Sequence, residues 1–110
     1  MRQGEIWWTD LNPTQGREQN GRRPVLIISG NLLNRYLDVV LVVPLTTQIK
    51  RYKGNPILEP NSKNQLKSTS EALVFQVRSI SKDRLLEKIG EVEPEIILEI
   101  KDTLQDILTL

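Results

Sequence analysis

A single stretch of the sequence has a clear helical period, and it lies near the C-terminus. Glu93-Pro94 begins it, because proline suits the first position of a helix and acidic side chains favour the positive end of the helix dipole. Apolar residues then recur at helical spacing at Ile96, Ile97, Ile100, Leu104, Ile107 and Leu108. The period predicts one α-helix over about residues 94–108, with a single apolar face that covers the rest of the fold.

The remainder of the chain is divided by turn residues into short strand-like runs. These runs are residues 4–10, 25–29, 38–44, 56–59, 71–80 and 86–92. Five or more short strands followed by one helix predict a mainly-β fold, a small and strongly bent barrel or sandwich with short helical turns. We expect residues 1–110 to form a single domain.

Three of these segments carry more specific expectations. The run at 25–29 is continuously apolar, which is typical of a strand that is buried on both faces. The run at 38–44 is too apolar to lie at the edge of a sheet. The run at 71–80 is expected to be interrupted near Gln76. The polar segment 61–70 is expected to be a solvated linker.

The chain has no histidine and no cysteine. This excludes histidine-pair ribonuclease chemistry, Cys-His hydrolysis and typical zinc sites. The carboxylates are too scattered to suggest a two-metal nuclease site, so we expect neither a metal nor a cofactor. No apolar run approaches the length of a membrane span, no signal peptide is evident, and the lack of cysteine favours the cytoplasm.

The formal net charge is only +1, but it is unevenly distributed. Residues 1–55 hold eight Lys and Arg against four Asp and Glu, which gives +4, and residues 56–110 hold seven against ten, which gives −3. A basic half on a nearly neutral protein favours a localised site for a polyanion over general coating of nucleic acid.

The densest polar segment is Gly16 to Pro24, with the sequence GREQNGRRP. Asn20-Gly21 is a strong hairpin signal, because both residues tolerate positive φ. Pro24 keeps the preceding Arg23 extended, at the start of a strand. The segment is either a solvated turn or a loop that holds an anion, and its composition favours the anion.

Arg23 and Thr46 are expected to lie together, since they stand at the start and the end of consecutive strands, which are usually neighbours. Such a rim can cleave RNA without a metal. Glu18 would accept the proton of a ribose 2′-hydroxyl, Arg23 would stabilise the charged phosphorane oxygens, and Thr46 would donate a further hydrogen bond to them. The structural alternatives are a Glu18–Arg23 ion pair across a turn and a threonine that merely ends a strand.

The sequence resembles the MazF/PemK family of bacterial toxins, which are sequence-specific endoribonucleases. The resemblance is carried by four collinear motifs: GEIWWTDLNPTQGREQNGRRPVLIIS at residues 4–29, VVPLTTQ at residues 42–48, QVRSIS at residues 76–81, and the helix that begins with Pro94-Glu95. It implies an SH3-like barrel with a C-terminal helix, assembled as a symmetric homodimer. The expected partners are single-stranded RNA and a cognate antitoxin, whose extended acidic C-terminal segment blocks the RNA groove.

By position, the resemblance implies that Arg23 and Thr46 are the catalytic arginine and threonine, and that Glu18 is the glutamate of the loop. Arg17 departs from the serine of many members, and Phe75 stands where one branch of the family has a catalytic aspartate. We therefore expect the Arg/Thr scheme. The residues that we assign to RNA binding are Arg17, Gln19, Asn20, Thr47, Gln48, Lys50, Arg51, Lys53, Gln76 and Arg78.

Two other functions are compatible with the same barrel. One is a non-enzymatic growth inhibitor that binds a protein target such as a DNA gyrase subunit through the terminal helix and the dimer surface. The other is a degenerate member that binds RNA without cutting it. The presence of Arg23 and Thr46 argues against the first alternative, and a cleavage assay separates the second.

Overall fold

The computed structural model describes residues 1–10 and 21–109. The predicted site residues Arg17, Glu18, Gln19 and Asn20 lie outside the described residues. The described elements are β1 (Glu5–Asp10), β2 (Arg22–Ile27), α1 (Asn31–Tyr36), β3 (Val39–Thr46), β4 (Ile57–Leu58), β5 (Ser70–Ala72), β6 (Arg78–Ser81), β7 (Leu85–Glu91) and α2 (Pro94–Ile107).

The strands form one curled antiparallel sheet in the order β4-β5-β3-β2-β1-β7, with β6 paired to β3 beside β5. The pairing of β1 with β7 contains two register shifts. Such bulges increase the local twist and help the sheet to curl. The predicted fold class, a mainly-β bent barrel with one C-terminal helix, is confirmed, and the strand at 38–44 is central as expected.

Two cores lie on opposite faces of the sheet, because alternate residues of a strand point in opposite directions. In β2, Leu26 belongs to the first core, together with Val43, Ile97 and Ile100. Its neighbours Val25 and Ile27 belong to the second core. This explains the continuously apolar run: all three β2 residues are fully buried.

Helix α2 covers the first core as predicted, but its apolar face is not buried over its whole length. Ile97 and Ile100 are buried, whereas Ile107 is 39% exposed and Leu108, which follows the helix, is 78% exposed. The expectation of one continuous covered face is therefore wrong at the C-terminal end. Neither described helix is both long and apolar enough to span a membrane.

The run at 71–80 is interrupted, as predicted, by a 3₁₀ turn at Val74–Gln76 that separates β5 from β6. The interpretation of 61–70 as a solvated loop is confirmed for most of its residues, which are exposed, but it is wrong for the buried Asn64 and Ser70. Asn64 is only 4% exposed, and its side chain accepts the N–H groups of Asn61 and Leu66. A Cβ at Gly90 of β7 would lie 2.4 Å from the Asn64 carbonyl oxygen, so the segment is packed directly on the sheet.

Candidate active site

Arg23 and Thr46 lie at the same end of the paired strands β2 and β3. Val25 pairs with Pro44, and Leu26 pairs with Val43. The observed β2–β3 ladder ends at the Val25–Pro44 pair, and its antiparallel register, continued by two positions, would set Arg23 opposite Thr46. Both side chains share the face of the second core, because they lie two positions from Val25 and Pro44. The register therefore supports the expected proximity of the two residues, which stays a prediction.

Arg23 is an exposed cation at this rim. Within residues 1–10 and 21–109, its guanidinium group has neither an ion pair nor a hydrogen bond. Its neighbour Arg22 differs, because its guanidinium lies 5.9 Å from the centre of the Trp8 ring. A cation at that distance from an indole is attracted to the face of the ring. Of these two adjacent arginines, Arg23 is the one whose side chain has no partner among the described residues.

The Thr46 hydroxyl is oriented by its own loop. Its Oγ1 accepts the backbone N–H of Gln48 at 3.1 Å. A hydroxyl group has one donor and two acceptor positions, so this contact leaves the O–H free to donate elsewhere. No acceptor within the described part of the chain takes that O–H. Thr46 is thus placed to donate a hydrogen bond to an oxygen that approaches the rim.

On the other side of Thr46 lies Glu71, a residue that the sequence did not indicate. Glu71 pairs with Thr46 across β3 and β5 and is fully buried. Its carboxylate accepts the backbone N–H groups of Lys50 and Arg51, at 2.7 and 2.8 Å. It also accepts the N–H of Tyr52 at 3.0 Å and the side-chain amide of Asn55 at 2.8 Å.

Burial by itself would raise the pKa of the Glu71 carboxyl. The hydrogen bonds from the Asn55 amide and from the N–H groups of Arg51, Lys50 and Tyr52 outweigh it and lower the pKa from 4.5 to about 2. Glu71 is therefore ionised at neutral pH, and it holds the loop that follows β3 by its main chain. Arg51 adopts a positive φ of 57° within this loop, a conformation that is uncommon outside glycine.

The clamped loop presents cations beside Thr46. Its backbone N–H groups turn inward to Glu71, while Lys50, Arg51 and Lys53 are exposed. Thr47 and Gln48, which connect β3 to the loop, are exposed as well. The predicted RNA-binding residues between positions 47 and 53 therefore form one basic surface next to the rim.

Gln76 and Arg78 are both exposed, so neither carries the cost of an unpaired buried polar group. Arg78 pairs with Val42 and shares the face of Thr46, but it lies four residues along β3, roughly 13 Å away. Gln76 lies in the 3₁₀ turn and lines a separate cleft with Lys53. Gln76 and Lys53 therefore line one cleft, whereas Arg23 and Thr46 lie at the end of the β2–β3 pair.

Within residues 1–10 and 21–109, no group of three or more carboxylates is placed to hold a metal ion.

Comparison with known proteins identifies the family. Residues 2–108 match the model of the PemK-like, MazF-like toxins of type II toxin–antitoxin systems. Endoribonuclease EndoA of Bacillus subtilis is 33% identical over 111 residues, which cover all of this chain and 96% of EndoA. Endoribonuclease MazF of Staphylococcus saprophyticus is 35% identical over 111 residues, which cover all of this chain and 92% of that protein.

A solved structure supports the same assignment. The endoribonuclease of a mycobacterial species, in complex with its cognate antitoxin, superposes with a TM-score of 0.78 at 27% identity, over 98% of this chain and 94% of that one. The chain belongs to the PemK-like, MazF-like toxin family.

Proposed function

We propose that this toxin is a sequence-specific endoribonuclease that cuts single-stranded mRNA without a metal ion. The 2′-oxygen of one ribose forms a bond to the adjacent phosphorus, and the bond from phosphorus to the 5′-oxygen breaks. The products are a 2′,3′-cyclic phosphate and a free 5′-hydroxyl. The endoribonuclease names of the curated relatives support this activity.

The proposal is supported by two groups at one end of β2 and β3: a guanidinium that has no partner among the described residues, and an oriented hydroxyl. Arg23 offers two parallel N–H donors to the equatorial oxygens of the phosphorane, where charge builds up in the transition state. Thr46 donates its O–H to the same oxygens, while the Gln48 N–H holds its Oγ1 in place. Donors that are fixed before the reaction cost little reorganisation when the charge develops.

Glu18 completes the scheme as the group that accepts the 2′ proton or orients the 2′-hydroxyl. Guanidinium groups stay protonated at physiological pH, so Arg23 acts electrostatically and not as a proton donor. We assign no residue to the protonation of the leaving 5′-oxygen.

A cleavage assay with a long single-stranded transcript in excess EDTA tests the proposal. We expect cuts at a restricted set of sequences. The new 5′ ends should accept phosphate from a kinase without prior dephosphorylation, and the new 3′ ends should resist ligation until the cyclic phosphate is removed. Loss of cleavage in EDTA, or 5′-phosphate ends, would contradict the mechanism.

The proposed physiological partner is a cognate antitoxin with an acidic C-terminal segment. The basic surface formed by Arg23 and the clamped loop supports binding of such a segment, since opposite charges favour both association and register. The mycobacterial relative was solved with its own antitoxin. The toxin would act in the cytoplasm, where its mRNA substrate is found.

We also propose a homodimer. Exposed apolar side chains cluster on α1, directly after it and on the start of β3, and exposed apolar patches mark surfaces for association. They are Leu32, Leu33, Tyr36, Leu37, Val39 and Leu41. Light scattering should give twice the mass of one chain, and a monomer mass would contradict this part of the proposal.

A further inference from the structure

The turn at residues 52–55 lies at the end of the clamped loop and carries Lys53. The Asn55 N–H donates to the Tyr52 carbonyl oxygen at 3.1 Å, which closes a four-residue β-turn. Gly54, the third residue of this turn, has a φ of 94°. A positive φ at the third position is typical of a type II turn and favours glycine. The turn is therefore a defined structure that carries Lys53 as its second residue.

Glu71 binds both ends of this turn but not its middle. Its carboxylate accepts the Tyr52 N–H and the side-chain amide of Asn55. The two central residues, Lys53 and Gly54, are exposed and donate no hydrogen bond to Glu71. A second restraint is therefore needed to fix the direction in which the middle of the turn presents the lysine.

Helix α2 supplies this second restraint. The Thr103 hydroxyl donates to the Gly54 carbonyl oxygen at 2.7 Å. Its oxygen also lies 3.2 Å from the carbonyl oxygen of Glu99, one helical turn earlier. A hydroxyl group has a single proton, and 2.7 Å is the usual length of an O–H···O bond, so the proton goes to Gly54. Thr103 thus connects α2 to the middle of the turn.

The contact between α2 and the turn is close enough to exclude a side chain at position 54. A Cβ at Gly54 would lie 2.9 Å from Cγ2 of Thr103 and 3.3 Å from its Oγ1. The Thr103–Gly54 hydrogen bond is nevertheless exposed. A hydrogen bond that water can replace contributes little to the free energy of unfolding. Its main consequence is therefore the placement of the turn and not the stability of the fold.

Lys53 is suited to contact a phosphate. Within residues 1–10 and 21–109, its exposed ammonium has no ion pair with a carboxylate. Such a cation can neutralise one phosphate of an RNA backbone and release the counterions condensed on it. Because the lysine side chain is long and flexible, the position of its backbone decides which phosphate the ammonium can reach.

We infer that Thr103 is a positioning residue for RNA binding, which holds the 52–55 turn against α2 so that the Lys53 ammonium meets one phosphate of the substrate. This role rests on the proposed function, since it concerns the RNA that the toxin would cut. Thr103 itself does not contact the RNA. Removal of its hydroxyl should therefore act through Lys53 alone.

Binding of an uncleavable 2′-O-methyl RNA at several salt concentrations tests this role separately from cleavage. The logarithm of the binding constant falls linearly with the logarithm of the salt concentration, by about 0.7 for each phosphate neutralised on a single strand. Lys53→Met should reduce this slope by about 0.7, and Thr103→Val should reduce it by about half as much. Thr103→Ser keeps the hydroxyl and should behave like the wild type. Thr109→Val is the matched control, because the Thr109 hydroxyl donates to the Gln105 carbonyl oxygen and not to the turn.

A double variant isolates the route through Lys53. In the Lys53→Met background, Thr103→Val should cause no further change in the slope. A further decrease there, or a wild-type slope in Thr103→Val alone, would overturn the inference. Hydrogen exchange of the Asn55 amide provides a second measurement without RNA: it should be faster in Thr103→Val, and equal rates would also overturn the inference. If the wild type fails to cut RNA in EDTA while the slope still depends on Thr103, the positioning role stands and the cleavage mechanism falls.

Discussion

Thr46 lies between two charged residues that the fold treats in opposite ways. On the β2 side, Arg23 is exposed and, within the described part of the chain, has no partner. On the β5 side, Glu71 is fully buried, and its carboxylate accepts four hydrogen bonds. A charge that is satisfied within the protein stabilises structure, whereas a charge left open is available to a ligand. The two residues therefore have different roles: Arg23 is proposed to act in the reaction, and Glu71 stabilises the loop that follows β3.

The largest effect on cleavage activity is expected at Arg23. Arg23→Ala should lower kcat/KM for RNA cleavage about 10³-fold, because it removes the guanidinium that stabilises the phosphorane. Its unfolding midpoint should stay near that of the wild type, since no contact with the described residues is lost. Arg22→Ala is the matched control and should retain most of the activity. Equal losses in the two variants would mean that only general positive charge matters.

The hydroxyl between the two charges should have the next largest effect. Thr46→Val keeps the shape of the side chain and removes the donor, so we expect kcat to fall about 10²-fold with a smaller change in KM. Thr46→Ser should recover much of the rate, because it restores an O–H that the Gln48 N–H can orient. Failure of the serine variant to recover any activity would favour a packing role for Thr46.

Replacing Glu71 should affect RNA binding and the stability of the fold more than the rate of the chemical step. Glu71→Gln leaves the loop N–H groups facing a neutral amide, and we expect it to lower the free energy of unfolding by about 3 kcal/mol. The loosened loop should raise KM for RNA about tenfold, with kcat changed less. A selective loss of kcat would instead place Glu71 in the reaction. Chemical denaturation and steady-state kinetics measure the two effects.

The contribution of Glu71 to stability should also appear in the pH dependence of unfolding, a measurement that does not involve kcat. Because the pKa of Glu71 falls from 4.5 to about 2 on folding, its stabilisation is complete above about pH 5 and is lost as the pH falls towards 2. Denaturation midpoints of the wild type should decrease more steeply over this range than those of Glu71→Gln. Other carboxylates titrate in both proteins, so the difference between the two curves is the measurement, and parallel curves would contradict the assignment.

The proximity of Arg23 and Thr46 could be expected from the sequence, whereas the contacts of Glu71 could not. Arg23 and Thr46 belong to consecutive strands, so a local rule of strand pairing brings them together. Glu71 meets Thr46 through β5, which follows a long connection, and a single glutamate in a strand-like run does not reveal its partners. The loop N–H groups that it binds carry no side-chain signal at all.

The same distinction explains the other errors. The helical period identified which face of α2 is apolar, but not how far the first core extends beneath it, so the exposure of Ile107 and Leu108 was missed. Segment 61–70 is polar in composition, which suggested a solvated loop. Its packing depends on the absence of a side chain at Gly90, which lies on β7, far along the chain. Such contacts are set by the tertiary fold and not by local pattern.

A double-mutant cycle on kcat/KM, with Arg23→Ala, Thr46→Val and the combined variant, tests the central claim most directly. If the guanidinium and the hydroxyl act on the same phosphoryl oxygens, removing the second group should cost little once the first is gone, so the combined variant should be no more than about tenfold worse than Arg23→Ala. Losses that multiply in full would show that the two residues act independently and would contradict a shared site.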